Sequence, residues 1–188
     1  MRHRRELEKW LKQYQLAIED ITEQDLRSCY MQQRPNNPFD SLLCKEDGAI
    51  DSSMPNSPHY ELAELYIRRG DAKARKHFHS TRYYQMAKII GRRSFPSKME
   101  YLVRSLRKGY LRRKFKWDYI VALRTPFARS RYKRDVPILV PEIWSGHHRV
   151  GILLAMKKHV VPVVFAKDLK PGSCRSAGKV HGLCKDLS

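Results

Sequence analysis

The sequence predicts an α+β fold, and three observations predict it. Helix spacing and helix punctuation dominate the chain as far as Gly109. Strand-like runs rich in β-branched and aromatic residues appear only beyond it, and a single helical stretch, His147 to Lys158, separates the last two of them. Strands grouped after helices, rather than alternating with them, argue against a doubly wound sheet.

The first element, within residues 1–33, is an amphipathic helix. Leu7, Trp10, Leu11, Tyr14, Ile18 and Ile21 recur at three- and four-residue steps with charges between them. Such a stripe has two uses: packing on the main domain, or pairing with a second copy to form a homodimer through this helix. Residues 34–57 read as a linker, because Pro35, Pro38 and Pro55 stand among Asn36, Asn37, Ser52, Ser53, Asn56 and Ser57. The main domain, 58–168, opens with a helical lead-in. Ser57 and Pro58 give an N-cap and a first-turn proline for a helix through Leu62, Leu65 and Tyr66 to Arg69. A second helix starts at Ser80 or Thr81 and stops at Gly91, with Tyr83 and Tyr84 as core or pocket wall. A third begins at the Ser97/Glu100 capping box, buries Leu102, Val103 and Leu106, and ends at Gly109. Strands follow at Asp118 to Arg124, Val136 to Glu142 and Val160 to Ala166. Pro162 places the last at a sheet edge, or starts the strand there. Residues 169–188 form a basic tail.

Charge sets the class of partner. The 188 residues hold 38 Lys and Arg against 19 Asp and Glu, a net charge of +19. That field attracts nucleotides, nucleic acid, anionic lipid or other polyanions. The N-terminus is basic but has no apolar run behind it, so it is not a secretory signal. The stretches Gly151 to Met156 and Val160 to Ala166 are too short to span a bilayer. Four scattered cysteines suit a reducing compartment. A soluble, cytoplasmic protein is the expectation.

The most informative segment is I-L-V-P-E-I-W-S-G-H-H-R-V-G-I-L-L-A-M, from Ile138 to Met156. A strand ends, Gly146 permits a tight turn, and a helix begins at once. The first N–H groups of that helix have no intrahelical partner and carry the positive end of its dipole, so an anion is favoured. Gly146 keeps a Cβ out of the anion's way. Arg149, one turn in, has the fork that suits phosphate, while His147 and His148 are donors whose charge varies near neutral pH. Adjacent histidines stand about 100° apart around a helix and do not share one metal, so no metal site is assigned here. The alternative is a structural turn with a solvated helix start.

From Asp118 to Asp168, S-G-H-H-R-V-G-I-L-L-A-M followed by a basic turn and V-V-P-V-V-F-A-K-D resembles the core of the ParB/sulfiredoxin superfamily. The resemblance implies a small mixed sheet with helices and a phosphate site at Ser145, Gly146, His147, His148 and Arg149. Histidine at 147, where sulfiredoxins carry a reactive cysteine, argues against sulfinic acid reduction. Twenty residues after Asp168 leave no room for the helix-turn-helix of the partitioning branch. The turn is most similar to that of the free-serine-kinase branch, with Ser145 replacing the usual Asp. That likeness implies ATP or CTP with Mg²⁺ and phosphoryl transfer to a small-molecule or saccharide hydroxyl. Glu142 and Asp118 are the candidate catalytic carboxylates, with Glu61 a further one.

A second surface reads differently. Arg124 to Arg134 holds five basic residues (Arg124, Arg129, Arg131, Lys133 and Arg134), no acid, and Phe127 and Tyr132 between them. Cations interleaved with aromatics describe a nucleic-acid surface, with or without nuclease activity, or else a solvated loop. Cys174, His181 and Cys184 supply three zinc-type ligands without the paired C-x2-C start of most structural sites. Three functions stand side by side: a nucleotide-dependent phosphotransferase, a nucleic-acid-binding protein, and a non-catalytic module for an anionic polymer or protein.

Overall fold

The computed structural model describes residues 2–31, 38–45, 50–91, 96–110, 119–126 and 139–169. Their strands are β1 Leu16–Asp25, β2 Tyr30–Met31, β3 Val121–Pro126, β4 Leu139–Ser145 and β5 Val160–Asp168. The helices are α1 Arg2–Lys12, α2 Asp40–Leu43, α3 Pro58–His77, α4 Arg82–Ile89, α5 Pro96–Arg107 and α6 His147–Ala155. The α+β expectation holds: one five-stranded mixed sheet, in the order β1-β5-β3-β4-β2, lies between helices. β1–β5 and β3–β4 pair antiparallel; β3–β5 and β4–β2 pair parallel.

Alternation along the strands divides the sheet into two faces. On one, Ala122, Ile143, Val161, Val163 and Phe165 pack under Val150, Leu153 and Leu154 of α6. α3 and α5 close a further layer over α6 through Leu62, Tyr66, Val103, Leu106 and Ile152. The α3–α6 approach is close: a Cβ on Gly151 would stand 2.7 Å from the His59 carbonyl oxygen, so the position admits only glycine. On the other face Leu7 and Leu11 of α1 cover Val121, Trp144, Val164 and Ala166. No described helix is long and apolar enough to cross a membrane.

The N-terminal segment departs from the expected single helix. α1 stops at Lys12, Gln15 takes a left-handed conformation (φ 58°), and β1 follows. Ile18 and Ile21 keep helical spacing in the sequence, yet β1 pairs along the whole of β5, and this tertiary pairing overrides local pattern. The apolar stripe of α1, for which packing on the main domain and pairing with a second copy are the two uses, is buried on its own sheet.

The described part of the expected 34–57 linker is also built in. Leu43 and Met54 are buried in the central core with Cys29 and Met31, and bridges Cys44–Ile50 and Tyr30–Ser53 fix the segment. Residues before 58 therefore share the sheet and core of those after it.

Helix caps follow the sequence in two places and not in a third. Ser57 Oγ accepts from the Tyr60 N–H at 3.1 Å, and Thr81 Oγ1 from the Tyr84 N–H at 3.2 Å. α3 runs beyond Arg69 to His77, across a kink at Gly70. Ser97 instead lies inside α5, and the buried Glu100 accepts two hydrogen bonds from the Arg75 guanidinium. A bidentate charged partner is stronger than the single amide a capping box offers.

β5 is an interior strand despite Pro162. Its ladder with β3 covers Val164 to Ala166 only. Ahead of that ladder the Tyr110 hydroxyl donates to the Pro162 carbonyl (3.1 Å) and accepts from the Ile120 N–H (3.0 Å). One side chain thus replaces the ladder bonds missing beside the proline.

Candidate functional site

β4 ends at Ser145, and Gly146 turns the chain into α6 with φ 98° and ψ 17°. Glycine is needed twice, for the left-handed φ and because Ile120 Cα lies 3.2 Å from where a Cβ would stand. This corrects one expectation: the Cβ side of Gly146 is packed against the residue leading into β3, not offered to a ligand. An anion would meet the N–H groups of the first helical turn instead. They have no intrahelical partners, and Gly146 brings no side chain to cap them.

Three helices begin at this corner. His59 is the second residue of α3, Tyr83 the second of α4, and His147 and His148 the first two of α6. The His59 ring stacks on His147 (centroids 5.2 Å apart, 28° between planes). It meets His148 edge-on at 4.8 Å and Tyr83 at 5.3 Å. The Tyr83 hydroxyl and His148 Nε2 are 2.6 Å apart, with the donor set by the His148 tautomer. The positive ends of three helix dipoles therefore converge on one cluster of rings. α3 and α4 have serine and threonine caps; α6 has no side-chain cap.

Burial holds His59 well below the usual histidine pKa, with His148 and His147 beside it adding to the effect. Burial also brings His147 down to about 4, against a hydrogen bond with the Ile143 backbone that favours its charged form. Both rings are neutral at pH 7, so the expectation that His147 changes charge near neutrality is corrected. His59 is 7% exposed, and its Nδ1 has no hydrogen-bond partner among the described residues. A core histidine normally satisfies both ring nitrogens, because a buried polar atom without a partner is costly.

The turn residues Ser145, Gly146, His147, His148 and Arg149 are together and half-buried. Glu142 is not with them. It sits directly opposite Leu123, whose side chain packs on the α1 face, and its carboxylate accepts from the Thr125 hydroxyl at 3.1 Å. A one-residue register shift between β3 and β4 follows it, and the sheet separates Glu142 from the histidines. Glu61 accepts from the Arg82 backbone and guanidinium, and Arg82 also reaches the Leu42 carbonyl. Arg124 lies over the Phe165 ring (3.9 Å) and pairs with Glu19 and Asp20 of β1. Its charge is met inside the protein rather than held for a phosphate backbone. Asp118, Arg129, Arg131, Lys133, Arg134, Cys174, His181 and Cys184 lie outside the described residues.

No group of three His, Cys, Asp or Glu among the described residues has metal-binding geometry. The three histidine rings stack and abut instead of converging on a point. His59 is the residue that sequence reasoning missed. Its one signal, adjacency to the Ser57-Pro58 helix start, says where the residue lies and nothing about what faces it. Comparison of the chain with protein-family models, with curated proteins and with solved structures finds no match.

Proposed function

We propose that the corner where α3, α4 and α6 begin binds the phosphate of a nucleotide, as the resemblance to the ParB/sulfiredoxin superfamily implies. One observation carries the reading: three helix N-termini meet at a half-buried turn where α6 has no side-chain cap and the buried His59 Nδ1 has no partner among the described residues. With His59 and His147 neutral, positive potential comes from the helix dipoles and Arg149. Neutral imidazoles then act as hydrogen-bond groups, not as counter-charges.

Backbone amides, imidazoles and a guanidinium suit the phosphates of ATP or CTP. Mg²⁺ takes a carboxylate or two besides phosphates, and among the described candidates Glu142 is behind the sheet and Glu61 is engaged by Arg82. In this reading the ion arrives on the nucleotide. Phosphoryl transfer to a small-molecule or saccharide hydroxyl is the extension of the reading. The group beside the acceptor is then the Tyr83–His148 pair rather than Glu142.

Thermal unfolding with ATP, CTP and their Mg²⁺ complexes tests binding. A nucleotide at a hundredfold excess over its Kd raises stability by about 2.7 kcal/mol, and Arg149→Ala removes the shift. An unchanged melting temperature with every nucleotide sinks the proposal.

A further inference from the structure

Among the described residues, positive charge is unevenly spread between the N-terminal elements and the helical layer. Residues 2–31, which form α1, β1 and β2, hold six Lys and Arg and six Asp and Glu. The α3–α5 layer, residues 58–91 and 96–110, holds eleven Lys and Arg and four acids. All four acids are taken by arginines of the same layer: Glu61 by Arg82, Glu64 by Arg68, Asp71 by Arg104 and Glu100 by Arg75. Arg69, Lys73, Lys76, Lys98 and Arg107 remain exposed, with no ion pair to any described residue. Among these cations Tyr101 is 64% exposed, three residues from Lys98 and three from Arg104 on α5.

A solvated face serves solubility with mixed signs, as α1 and β1 do. A net-positive field around an exposed aromatic has a narrower match. Single-stranded nucleic acid answers both features, phosphates to the cations and an unpaired base to the ring, whereas a duplex keeps its base faces stacked. A membrane-surface helix needs an outward apolar face, and α5 turns Met99, Val103 and Leu106 inward.

We infer that the α3–α5 layer is a docking surface for single-stranded nucleic acid, with Lys73, Lys76 and Lys98 on phosphates and Tyr101 stacked on a base. This surface uses none of the residues 124–134 and does not depend on phosphate binding at α6.

The test is fluorescence anisotropy of the full chain with a labelled oligothymidylate over a salt series. Changing Lys73, Lys76 and Lys98 together to Gln lowers the slope of log affinity against log salt by about 2 and weakens binding at least about tenfold. Tyr101→Ala weakens it about fivefold or more, and Tyr101→Phe restores it. All four side chains are exposed, so the variants keep the parent melting temperature, and the triple variant keeps any nucleotide-induced shift. Unchanged affinity and slope in the triple variant overturn the inference, as does a silent Tyr101→Ala. Binding to phosphatidylserine vesicles that depends on the three lysines, without oligonucleotide binding, overturns it in favour of a membrane.

Discussion

On the α1 face of the sheet, Trp10, Tyr14 and Trp144 meet with ring centroids 5.2 to 5.8 Å apart. On the α6 face, His59, His147, His148 and Tyr83 meet at 4.8 to 5.3 Å. The first pins α1 to the sheet, the second pins α3, α4 and α6 to one another, and packing asks only for flat rings at this spacing. The first cluster supplies them with large apolar area. The second supplies them with imidazoles, which must be kept neutral against their hydration and which leave a buried nitrogen unpaired among the described residues. Stability alone would favour apolar rings in both places. Departure from that rule on the α6 face, where three helices start, is what makes that corner the candidate site.

Substitutions sharpen the contrast. Trp144→Ala has the largest expected effect, a loss of about 3–5 kcal/mol from a deleted aromatic in the core. Urea midpoints at pH 5 and pH 7 should show the same loss, because no titrating group is removed. A pH dependence in this variant's loss would break the distinction between the two faces.

The histidine face should respond to acid. His147 has a folded pKa of about 4, below its unfolded value, and His59 is shifted the same way. The unfolded chain therefore binds these protons first. The stability contributed by the neutral rings is complete above pH 6.5 and is lost as pH falls from there towards 4, by at most about 1.4 kcal/mol per pH unit for each ring. Replacing His147 with Phe flattens the urea-midpoint profile between pH 6.5 and 4. A profile as steep as the parent's would show that His147 is not held neutral.

The smallest effect belongs to Tyr83→Phe, which removes the hydroxyl facing His148 and costs about 0.5–1.5 kcal/mol. Nucleotide-induced stabilisation measured in the same melts distinguishes two roles for the pair. A ligand shift equal to the parent's leaves Tyr83 as packing alone.

Local chemistry made part of this architecture legible. Ser57, Thr81 and Gly146 mark helix starts because capping and left-handed geometry are decided within a few residues. β1 was not legible. Its acidic run I-E-D-I-T-E-Q-D shows weak alternation, and what makes it a strand is β5, at the far end of the chain. Glu100 was misread for a related reason, since Arg75, which takes it from the cap, lies on another helix. At the candidate site the turn itself was readable, while its surroundings were not. No spacing rule places His59 against His147, and the register shift at Val121/Ala122 that accompanies Glu142 on the far face leaves no mark in V-P-E-I-W-S.

The full-length pairing of β1 with β5 also orders events in time. Leu16 lies opposite Asp168 and Asp25 opposite Val160, so β1 stays without this partner until β5 has been synthesised. Closing so long a loop makes this pairing slow relative to the local helices. α1 meets Val164 and Ala166 of β5 in the same cluster, so that face also waits for β5. A chain interrupted before residue 160 would carry an open row of backbone donors and acceptors along β1, the kind of edge that recruits other chains.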